Sequence, residues 1–253
     1  MSTTVVRDTT VLLGRSLRHI VRSPDTILTT AITPIAVLVL FVHVLGGAID
    51  VGGGAYVDYL LPGVLLITIV SGIGYTAFRL FTDVSGGVFE RFQTLPIARS
   101  VVLWSHVLTS LVANLVSLVL VVLVAAAMGF RSGAAPLAWL AVLGLLVLFT
   151  LALTWLAVAV GLTATSVDGV SGFATPLTFL PFVSSAFVPT EGMPGPVRWF
   201  AEHQPVTPVV DTVRSLLAEE PVGDDGRTAV VWCVALLVVT HALAMRTYRR
   251  RTT

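Results

Sequence analysis

The residues able to do chemistry in this chain are few and scattered. Five histidines, His19, His43, His106, His203 and His241, lie far apart, and none belongs to a His-Glu pattern that would hold a zinc on one helix face. No serine sits in a Gly-x-Ser-x-Gly elbow, and Ser71, Ser117 and Ser184 have no evident base beside them. All 15 basic residues other than histidine are arginine. A phosphate-binding P-loop requires a lysine, so this chain cannot bind and hydrolyse ATP in that way. Cys233 is the only cysteine, which excludes an intrachain disulfide and a cysteine metal cluster. No catalytic residue, metal site or cofactor site is therefore expected in the chain. What remains are isolated polar groups in apolar surroundings. Asn114 is placed either to hydrogen-bond a neighbouring helix or to contact a substrate, and His106, near the inner start of a span, either to reach the membrane interface or to line the same path.

The elements that position these groups follow from composition. Hydrophobic residues make up 55% of the 253-residue chain and charged residues only 11%, whereas a soluble domain carries about 25% charged residues. The apolar residues gather in blocks close to the ~20 residues that a helix needs to cross a bilayer. The pattern predicts an all-α integral membrane protein, one transmembrane domain with six spans near 27–45, 60–80, 102–128, 137–163, 170–188 and 229–245. The first block starts too far from the N-terminus for a cleaved leader, and reads as a retained span. Arg15, Arg18 and Arg22 recur at helical spacing opposite Leu13, Leu17, Ile20 and Val21, which predicts an interfacial amphipathic helix over 5–22.

Charge sets the expected orientation. With the N-terminus inside, the inner side carries Arg7, Arg15, Arg18, Arg22, Arg79, Arg91, Arg99, Arg246, Arg249, Arg250 and Arg251. The outer side carries Arg131, Arg198, Arg214 and Arg227. That bias places both termini in the cytoplasm. The Arg249–Arg251 run follows an apolar block and reads as a membrane-surface anchor. With a net charge of +1 and no other basic run, no nucleic-acid partner is expected.

Two stretches outside the spans stand out. In the inner loop 82–100, Val84, Val88, Phe92 and Leu95 share one helical face while Glu90 and Arg91 point elsewhere, and Pro96 ends the pattern. Such a knob can dock on a cytoplasmic partner or rest on lipid headgroups. In the outer segment 189–227, Thr207-Pro208 has the form of a helix N-cap with proline at the first position. Val209, Val210, Val213, Leu216 and Leu217 then form an apolar face, and Asp211 and Arg214 can pair at three-residue spacing. This segment is expected to lie on or dip into the outer leaflet, as a cap or as a gate.

Particular runs carry a family resemblance. Tyr59-Leu60-Leu61-Pro62-Gly63-Val64, then Phe89-Glu90-Arg91-Phe92 and Leu95-Pro96-Ile97, resemble the membrane subunit of type-2 ABC exporters. Ser184-Ser185-Ala186-Phe187-Val188-Pro189-Thr190-Glu191-Gly192-Met193-Pro194 and Gln204-Pro205-Val206-Thr207-Pro208-Val209-Val210-Asp211 with Arg214 are similar to its daunorubicin-resistance branch. That branch usually has Asn-Pro where Gln204-Pro205 stands here.

The resemblance covers nearly the whole chain and implies a working unit of two permease chains, a homodimer by expectation, with two ATP-binding cassette subunits that hold ATP and Mg. It implies that Val88, Phe89, Glu90, Arg91, Phe92, Leu95 and Pro96 form a helix coupling to the ATPase. Phe187, Val188, Pro189, Glu191, Met193, Pro194, Pro205 and Thr207 would belong to an outer gate. The implied activity is export of amphiphilic, drug-like molecules across the plasma membrane. Export of a lipid or lipid-linked glycan is the alternative within the same architecture. A stand-alone ion-coupled carrier would want a row of buried acids that the spans lack. The arginine-only basic set, with abundant Ala, Val and Gly, points to a GC-rich bacterial genome.

Overall fold

A computed structural model describes residues 24–46, 55–87 and 99–252. The predicted interfacial helix 5–22 lies outside the described residues, as does the whole Val88–Pro96 coupling segment.

Among the described residues the chain is built of helices and turns. Helix α1 covers Pro24–Leu40 and continues through a wider π-helical turn, Phe41–Leu45. The longest, α2, covers Tyr56–Ser85. Helix α3 covers Arg99–Ala127 and α4 covers Pro136–Thr163. Helix α5 is short, Val167–Phe179, and tightens into a 3-10 turn at Leu180–Val183. Two further short helices, α6 at Gly195–His203 and α7 at Val206–Leu217, precede α8 at Asp225–Thr252.

Local chemistry explains several ends. Pro136 occupies the first turn of α4, where its missing N–H costs nothing. Ser166 caps α5 by accepting the Gly169 N–H at 3.1 Å. Hydroxyls inside the apolar helices bond back to the carbonyl four residues earlier, as Thr68, Thr150 and Thr154 do. This satisfies polar atoms where water is absent.

Helix α2 is the hub. It packs against α1, α3, α4, α5 and α7, while α8 lies on the outside against α4 and α7. Nearly every residue from Tyr56 to Val70 is buried. By contrast α8 keeps Val230, Val231, Val234, Val238, Val239 and Leu243 exposed. A helix with an apolar exposed face and an apolar buried one is suited to lipid on its open side. Among the described residues, four helices are long and apolar enough to cross a bilayer: Tyr56–Ser85, Leu103–Ala127, Pro136–Thr163 and Asp225–Arg250. The expected first and fifth spans correspond to shorter apolar stretches, Thr30–Val44 and Val167–Val183.

Candidate functional site

The end of the bundle where α2 begins is closed by a folded-back segment. After the 3-10 turn the chain leaves helical geometry at Ser184. The Ser184 hydroxyl donates to the Pro181 carbonyl at 2.6 Å and accepts the Ala186 N–H at 3.1 Å, which reverses the chain locally. Ala186 then lies directly on α2. A Cβ added to Gly63 would stand 2.7 Å from the Ala186 Cβ, so only glycine permits this approach. Phe187 is buried, stacked on Phe182 with ring centroids 4.6 Å apart and tilted against Phe41 of α1 at 5.0 Å. The Tyr56 hydroxyl reaches the Phe187 carbonyl at 3.4 Å, and the Tyr59 hydroxyl donates to the Ser185 carbonyl at 2.9 Å.

Arg214 of α7 fastens this turn. Its guanidinium donates to Asp211 at 2.5 Å and to the Ser185 carbonyl at 2.8 Å. It also reaches the Tyr59 carbonyl at 3.4 Å and lies over the Tyr59 ring, 3.9 Å from the centroid. The Ser185 hydroxyl completes the circuit by donating to Asp211 at 2.7 Å. One cation thus ties α7, the reversed turn and the start of α2. Burial lifts the Asp211 carboxyl above the ordinary carboxylate range, against the downward pull of the Ser185 hydrogen bond and the Arg214 charge.

The gate residues expected from sequence divide. Phe187, Pro205 and Thr207 take part in this closure or stand next to it. Val188 is exposed just beyond the reversed turn. Pro189, Met193 and Pro194 flank a small 3-10 turn at Thr190–Gly192 that contains Glu191. Thr207 is not the N-cap that its sequence context predicts. Helix α7 starts two residues earlier than predicted, at Val206 with Pro205 in the cap position, and the Thr207 hydroxyl donates to the Ala201 carbonyl at 2.5 Å. That bond stitches α6 to α7, and the same oxygen accepts the Ser185 N–H at 3.4 Å. The Asp211–Arg214 pair forms as the spacing implies.

Towards the other end, α1, α2 and α3 face one another with polar groups. The Thr76 and Ser110 hydroxyls are 2.7 Å apart, and those of Thr30 and Ser117 are 3.2 Å apart. Asn114 is buried among them but bonds its own helix, its amide nitrogen donating to the Ser110 carbonyl at 3.0 Å. His106 faces Asp83 near the end of α2, with Nε2 3.4 Å from Oδ2. The structure therefore brings Asn114 and His106 to one cleft, lined also by Gly72, Thr76, Thr109 and Ser110. No group of three or more metal-ligating side chains occurs among the described residues.

An all-helical bundle with crossing-length helices, one latched end and a polar cleft towards the other is the form of a membrane permease. The ABC-2 type transporter family matches residues 7–218, and the chain belongs to that family. It is 29% identical to the daunorubicin resistance ABC transporter permease protein DrrB1 of Streptomyces coeruleorubidus, over 98% of this chain and 88% of that protein. It is 26% identical to the Probable doxorubicin resistance ABC transporter permease protein DrrC of Mycobacterium tuberculosis, over 98% of this chain and 90% of the other.

Proposed function

We propose that this chain is the membrane-spanning subunit of an ATP-driven exporter that moves amphiphilic, drug-like molecules out across the plasma membrane of a bacterium. The observation that carries the proposal is the pairing of a latched end with a polar cleft towards the opposite end. That is one of the two arrangements an alternating path needs, and a partner's free energy would drive the other. The names of the two relatives supply the substrate class, of which anthracyclines are the testable case.

In this scheme the short stretches Thr30–Val44 and Val167–Val183 join the four long helices to make six spans, with both termini in the cytoplasm. The reversed turn and α6–α7 form the outer gate, together with Phe187, Val188, Pro189, Glu191, Met193, Pro194, Pro205 and Thr207. Asn114 and His106 line the substrate path. Val88, Phe89, Glu90, Arg91, Phe92, Leu95 and Pro96 couple to a separate ATP-binding cassette subunit, which holds ATP and Mg. Helix α5 is apolar yet buries only Val170 among its residues; its open face is where a second copy of the chain would pack.

The test is transport in vesicles containing this chain and its ATPase. Daunorubicin accumulation against a gradient that needs both proteins and hydrolysable ATP supports the proposal. Transport by this chain alone, or none with both present, refutes it.

A further inference from the structure

A groove of about 840 Å³ runs between α3 and α4. Its floor is buried and formed by Leu65 of α2, Leu118 of α3, and Val142 and Leu146 of α4. Its rims are open, with Val119 and Leu123 on one side and Leu140 and Leu143 on the other. No charged side chain lines it. From Pro136 to Leu146 the α4 wall is about 15 Å long, half of a ~30 Å hydrocarbon core. The groove therefore spans one leaflet and stops near the middle of the bilayer. Its mouth is the turn that joins α3 to α4. Ser132 of that turn donates to the Leu217 carbonyl at 2.7 Å, which sets the mouth beside α7 at the latched end.

The mouth carries both signs of charge. Arg131 stands exposed in the turn. Glu219 is exposed too, its Oε1 lying 3.5 Å from the point that a Gly133 Cβ would occupy. Neither belongs to an ion pair among the described residues. A cation and an anion at the head of an apolar slot match a molecule with a phosphate, an ammonium and a chain. The lining decides which kind of apolar body fits. A flat ring system is best met by aromatic faces, yet Trp139 is the one aromatic lining residue. Leucine and valine side chains along the rest of the slot suit a flexible chain. Helix α5, the face given above to a second copy, does not line the groove.

We propose that this groove seats one acyl chain of an ethanolamine phospholipid, with the lipid phosphate at Arg131 and its ammonium at Glu219. The lipid comes from the leaflet on the latched side, the outer one in the orientation proposed above. The proposal rests on the membrane placement of α3 and α4 and is independent of the transported substrate. A chain seated there reaches Leu65 and fills the space beside the hub helix. Lipid against the open face of α8 has no such seat and no pair of charges above it.

The test uses the permease with its ATPase in nanodiscs of equal parts phosphatidylethanolamine and phosphatidylglycerol. A diazirine analogue of leucine replaces Val119 at the groove rim or, as the reference for bulk lipid, Val238 on the open face of α8. After illumination, mass spectrometry identifies what each position has captured. The groove position should capture the ethanolamine lipid over the glycerol lipid about fivefold, the worth of one close charge pair in water. The α8 position should capture the two equally. Glu219→Gln should remove the preference at the groove, and Arg131→Gln should lower lipid capture there about fivefold relative to α8. Unchanged capture at α8 reports that each variant is folded and inserted. The same lipid ratio at both positions, in wild type, overturns the proposal. So does capture at the groove of a second copy, of another segment of this chain, or of added daunorubicin in place of lipid. Lipid captured at neither position overturns it together with the membrane placement, whereas failure of daunorubicin transport refutes only the exporter function.

Discussion

Replacing Arg214 with alanine should unlatch the reversed turn, by an amount that can be worked from its contacts. The variant loses a charge-assisted hydrogen bond to Asp211, about 1.5–3 kcal/mol for such bonds. It loses the position over the Tyr59 ring, about 0.5–2 kcal/mol, and the bond to the Ser185 carbonyl. The two side chains of the ion pair keep 21% and 27% of their surface, so solvent screening trims these values. A net loss of about 3 kcal/mol follows, which at 1.4 kcal/mol per tenfold raises the open population of the turn roughly a hundredfold. Amide hydrogen exchange reads this directly, because Ser185 and Ala186 donate their N–H groups to Thr207 and Ser184 inside the latch. In nanodiscs, these amides should exchange about a hundredfold faster in Arg214→Ala than in wild type. Arg214→Lys, which keeps the charge without the planar fork, should fall between. A change below about threefold in the alanine variant would show that the turn is held by Phe187 and Gly63 packing alone, and the latch argument would fail.

Further consequences can be checked independently. Folding raises the Asp211 pKa from its ordinary 3.8, so the native state holds this proton more tightly than the unfolded chain. Stability of the α6–α7 segment should therefore rise as pH falls through the folded value, and be lost as pH rises through it. Thermal unfolding followed against pH, with Asp211→Asn removing the dependence, tests the sign. Gly63→Ala should push the reversed turn off α2, since the new Cβ would stand 2.7 Å from that of Ala186. Overpacking of this kind costs about 1–3 kcal/mol, visible as a lower unfolding temperature and faster exchange at Ala186. Glu90→Lys combined with Arg91→Ala should abolish ATP-dependent transport at wild-type membrane levels. Wild-type transport in that double variant would remove the coupling role from the loop.

The apolar blocks were legible because hydropathy is a sum over ~20 residues and tolerates local error. The 137–163 block matches Pro136–Thr163 closely, since Pro136 and the Ala164 turn mark its ends. The 170–188 block was less legible. It is apolar on average, but its α-helix ends at Phe179 because the backbone tightens ahead of Pro181 and Ser184 then reverses the chain. Hydropathy averaged over a window of ~20 residues does not register a turn made by two serines within it.

The latch was half visible. Asp211 and Arg214 advertise their pairing by spacing, whereas the remaining acceptors are backbone carbonyls of Tyr59 and Ser185. A carbonyl's partner is encoded by the fold and by no residue type. Gly63 stands in the Tyr59–Val64 run, and a small residue at a helix contact is the signal available for it. Thr207 misled for a related reason, its hydroxyl being taken by Ala201 across the α6–α7 corner. The His106–Asp83 contact joins two helices through a connection whose geometry sequence alone does not fix.

The central claim is that this chain transports only with a separate ATP-binding subunit. Gentle purification of the tagged chain from its native membrane, with mass spectrometry of what accompanies it, tests that most directly. The account predicts an ATP-binding cassette protein in about equal amount, stable to washing and released by the Glu90 and Arg91 substitutions. Recovery of the chain alone, even after crosslinking in intact membranes, would contradict it.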